Sequence, residues 1–110
     1  MLKDTVAKLE NAIRQIRSLG SPDKTALLTL LAELQTEVQK LSKTNQEQAH
    51  SIASLADLAA HEATRRTKSP DLLQHSVAGL ALSAQGFEAS HPQLVDTVNR
   101  VCTMLARIGI

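Results

Sequence analysis

Apolar residues recur along this chain at alternating steps of three and four. The first run is Leu2, Val6, Leu9, Ile13 and Ile16. The second is Leu27, Leu31, Leu34, Val38, Leu41, Asn45, Gln48, Ile52, Leu55 and Ala59, a strict seven-residue repeat whose two middle positions are polar. The third is Leu73, Val77, Leu80, Ala84 and Phe87, and the fourth Leu94, Val98, Val101, Leu105 and Ile108. Such spacing keeps one face of a helix apolar through every turn. The pattern predicts an all-α fold in a single domain, 1–110. Its helices are expected over about 2–19, 22–66, 70–86 and 92–108, forming a helical bundle with one long, heptad-patterned member.

Punctuation between the runs agrees with these bounds. At Gly20-Ser21-Pro22 a glycine suits a helix end, a serine a cap and a proline a first turn. Ser69-Pro70-Asp71 repeats the cap and the proline, and adds an acid near the positive helix end. Ser90 and Gln93 have the spacing of a capping box ahead of the last helix, with Pro92 at its start.

The second run raises the question of association. Nothing between Pro22 and Arg66 is Gly or Pro. An unbroken helix there would be roughly 60 Å long, against roughly 25 Å for each of the others. Its seam would then need a second chain. Leu27, Leu31, Leu34, Val38, Leu41, Asn45, Ile52 and Leu55 are the expected interface, completed by self-association, with a dimer favoured. Asn45 at a seam position either sets the register of that pairing or faces solvent in a polar stretch. Good helix formers (Lys, Gln, Glu) favour continuity through Ser42 to Ser51; the alternative is a break near 42–48, which removes the length on which association rests. Arg65, Arg66 and Lys68 follow as a basic exit that suits the negative helix end.

Composition narrows the function. Twelve basic against eleven acidic residues leave a net charge of +1, without the basic excess of a nucleic-acid binder. Phe87 is the one aromatic residue, so bases have no stacking platform and the core must be aliphatic. No apolar run approaches the ~20 residues of a membrane span. The start, Met1-Leu2-Lys3-Asp4, enters a charged amphipathic pattern directly, unlike a signal peptide. A single cysteine, Cys102, forms no intrachain disulfide and suits a reducing compartment, so the cytoplasm is the expected location.

Candidate chemistry is thin. His50, Asp57 and His61 share one stripe of a helix, and zinc accepts such ligands, but no second cluster completes a shell. Glu88 and His91 match one Glu-x-x-His motif, where a di-iron bundle needs two such motifs and two more carboxylates. His91 also precedes a proline, which biases it away from helical geometry. Cys102 has no histidine near it in sequence to act as a base. No catalytic or phosphate-binding motif occurs. A non-enzyme is expected, with no cofactor, no metal, no nucleic acid and no membrane partner.

The C-terminal third carries a resemblance. Phe87-Glu88-Ala89-Ser90-His91-Pro92-Gln93-Leu94, followed by an apolar helix closing on Ile108-Gly109-Ile110, resembles a family of short, uncharacterised bacterial helical proteins known only as a domain of unknown function. The resemblance implies no activity. The motif reads as structural: Ser90 caps, Pro92 starts the last helix, Phe87 packs across the turn and Gly109 ends the helix. The expected function is a helical assembly or adaptor module that self-associates. Alternatives are a heteromeric module presenting an amphipathic helix to an unknown protein partner, and a small metal-binding bundle.

Overall fold

The computed structural model describes residues 21–109, together with Ala7. The helix expected over about 2–19 lies outside the described residues. Four helices follow: α1 (Ser21–Ser42), α2 (Gln46–Thr64), α3 (Pro70–Ala84) and α4 (Pro92–Ile108). The described residues contain no strand.

The helices form a cycle in which each packs on its chain neighbours and α1 closes against α4. The ion pairs Asp23–Arg107 at 2.8 Å and Glu33–Arg100 at 3.6 Å run along the α1–α4 contact and make those helices antiparallel. α2 and α3 are antiparallel too: Gln48 Nε2 near the start of α2 donates to the Ser83 carbonyl near the end of α3, at 2.5 Å. This is the arrangement expected of successive helices joined by short loops.

The long helix expected over 22–66 does not form. It breaks at Lys43 to Asn45, and the seam folds back on itself. Local chemistry explains the break. The Ser42 hydroxyl donates to the Gln39 carbonyl at 2.7 Å and the Thr44 hydroxyl to the Leu41 carbonyl at 3.3 Å. The Thr44 and Asn45 amides also bond to the Leu41 carbonyl. Carbonyls freed at the end of α1 are thereby satisfied without continuing the helix. Asn45 then caps α2, its Oδ1 accepting from the Gln48 amide at 3.1 Å.

Breaking there lets both halves of the seam enter one core. Leu27, Leu30, Leu31, Leu34, Val38 and Leu41 of α1 are buried, as are Leu94, Val98, Val101 and Leu105 of α4. α2 contributes Ala49, Ile52, Ala53, Ala56, Ala59, Ala60 and Ala63, an alanine-rich face turned away from the expected Leu55 position. Alanine at a helix contact permits close approach of the axes. Leu55 is only half-buried. On α3, Leu73 and Leu80 enter the core beside Ser76 and Ser83, whose hydroxyls bond to carbonyls of their own helix and so tolerate burial.

Loop chemistry follows the sequence in part. Ser69 caps α3, accepting from the Leu72 amide, with Pro70 at the first position and Asp71 in the first turn. Lys68 reaches back to the Ala63 carbonyl and Arg65 pairs with the buried Glu62 at 2.7 Å, so two of the three basic residues in the α2 exit serve the helix end. α3 ends at Ala84 rather than about 86, and Gly86 takes φ +99, a left-handed conformation that favours glycine. Ser90 does not cap α4. Because Pro92 is the first helical residue, the residue before it, His91, holds the cap position and makes no side-chain cap bond, while Ser90 stays exposed in the turn.

Candidate interaction surface

The residues expected to meet a second chain are mostly inside this one. Leu27, Leu31, Leu34, Val38, Leu41 and Ile52 are at most 4% exposed in the single chain. Asn45 is exposed and acts as a helix cap, so its register-setting role is replaced by a local one. The physical reason is the break at 43–45: without a helix of roughly 60 Å, no excess length of seam calls for a partner.

The exposed apolar surface lies elsewhere. Among the described residues the exposed large hydrophobics are Leu58 at 47%, Leu72 at 51% and Leu82 at 68%. Leu72 and Leu82 belong to α3, where Leu72, His75, Gly79 and Leu82 recur at steps of three and four beside the buried Leu73–Leu80 stripe. Leu58 belongs to α2, one turn beyond the half-buried Leu55. Gly79 joins the two rows, since a Cβ built on it would lie 3.3 Å from Leu55 Cδ2. Antiparallel packing then sets Leu58 level with His75 and Ser76, and Ser51 level with Leu82. Leu82 instead borders a groove whose far wall is Val95 and Asn99 of α4. A signal for them exists in the sequence: Leu58, Leu72 and Leu82 are leucines out of phase with the core stripes, and an amphipathic pattern gives no core role to such residues.

The remaining candidates are dispersed. Among the described residues no group of three or more His, Cys, Asp or Glu side chains converges, so His50, Asp57 and His61 do not form a common cluster. Glu88 accepts from the Gly86 amide at 2.8 Å, and the His91 ring meets Phe87 edge-on at 5.9 Å, so both shape the α3–α4 turn. Phe87 is half-buried against the core. Gly109 ends α4, its amide bonding to the Leu105 carbonyl at 2.9 Å, and a Cβ there would collide with Leu73 Cδ2. Cys102 is buried between α3 and α4, and its thiol donates to the Val77 carbonyl at 3.6 Å. Burial pushes the pKa of that thiol up to about 11, leaving it a poor nucleophile at neutral pH.

Three grooves border α4; the smallest, about 410 Å³, lies between the end of α3 and the start of α4 and is lined by Leu82, Gln85, Glu88, Val95 and Asn99. A second, between α3 and α4, has a volume of about 620 Å³ and is walled by Leu73, Val77, Ala78 and Ala106. The third, between α1 and α4, has about 640 Å³ and is edged by Arg100 and Arg107. None of the three gathers a catalytic constellation. No helix among the described residues is long and apolar enough to cross a membrane.

A comparison with known families matches residues 27–110 to a domain of unknown function, DUF4404. The chain belongs to this family. The DUF4404 match takes in most of α1, all of α2, α3 and α4, and with them Leu58, Leu72 and Leu82. No curated protein and no solved structure was found to be similar to this DUF4404 chain.

Proposed function

We propose that this DUF4404 protein is a non-enzymatic helical assembly module that self-associates through exposed leucines of α2 and α3. The observation that carries this reading is the exposure of three leucines, Leu58 on α2 and Leu72 and Leu82 on α3. A single exposed leucine needs no explanation, but three on two neighbouring helices support a binding role. A second copy is the simplest occupant, since closed two-fold dimers are the commonest soluble assemblies. Cytoplasmic residence belongs to the same proposal and rests on the single, free, buried Cys102.

Sedimentation equilibrium over a micromolar concentration range tests the reading. The expected result is a reversible dimer that Leu82→Ser weakens without loss of helicity. A clean monomer throughout that range would overturn self-association and leave the heteromeric alternative, in which the same leucines meet a different protein.

A further inference from the structure

We draw no further inference here: the strongest candidate, the apolar groove between α3 and α4 walled by Leu73, Val77, Ala78 and Ala106, carries nothing because nothing in the structure shows what covers it.

Discussion

Replacing Asn45 by alanine tests the break that decides the fold. In the structure Asn45 lies outside the core, and its side chain accepts from the Gln48 amide at 3.1 Å. Its backbone bonds, to the Leu41 carbonyl at 2.8 Å and from the Ala49 amide at 3.0 Å, do not need the side chain. The substitution therefore removes one cap and creates no cavity. Losing an Asn cap costs about 1 kcal/mol. For a domain of this size that lowers Tm by roughly 4 °C, or shifts the urea midpoint by roughly 0.5 M. The chain has no Trp or Tyr, so helical circular dichroism is the suitable signal. Asn45→Asp should change stability by only a few tenths of a kcal/mol, since Asp is an equally good cap and its charge suits the helix start. Asn45→Leu is the decisive companion. Were the seam continuous, leucine would complete it, raising stability and tightening association. With the break in place, Asn45→Leu loses the cap and exposes a leucine, and it should be at least as destabilised as the alanine variant. A leucine variant more stable than wild type would refute the capped break.

Other expectations follow from single contacts. Ile52→Ala empties a fully buried position and should cost about 2–5 kcal/mol in urea denaturation. Gly86→Ala places a Cβ on a left-handed backbone, and although nothing crowds the site it should cost about 1–2 kcal/mol by the same assay. Cys102 should react with a thiol reagent roughly a hundredfold more slowly in the folded chain than in the unfolded one at pH 8, because burial raises its pKa from 9.0 to about 11. The sign for stability follows from the same shift. The contribution of the neutral thiol is present below pH 9 and is lost as the pH rises through about 11, so Cys102→Ala should flatten the fall in stability over that interval.

Much of the fold was legible in the chain. The all-α class, the start of α3 at Pro70 and the full span of α4 follow from local rules: three- and four-residue apolar spacing, a serine cap and proline at a first turn. The face of α4 is legible because Leu94, Val98, Val101 and Leu105 alternate with charged and polar positions. The polar interval at Ser42 to Gln48 marks where a break is allowed, but helix propensity alone favours continuing through Lys, Gln and Glu.

The choice between those outcomes belongs to tertiary structure. Propensity differences over a few residues amount to tenths of a kcal/mol each, whereas folding α1 and α2 against α3 and α4 buries a full set of leucines and alanines. Burial of that size outweighs continuity, and Ser42, Thr44 and Asn45 make the break inexpensive by satisfying the helix ends. The same packing turned the alanine face of α2 inward rather than Leu55, because helices approach most closely where side chains are small. The surviving candidate for assembly therefore moved from the heptad seam to Leu58, Leu72 and Leu82, which the packing of the four helices leaves exposed. By itself the sequence determined that this protein is helical and where two of its helices begin. Only the packed structure decided which leucines close its own core and which remain for another surface, because that depends on which helices become neighbours.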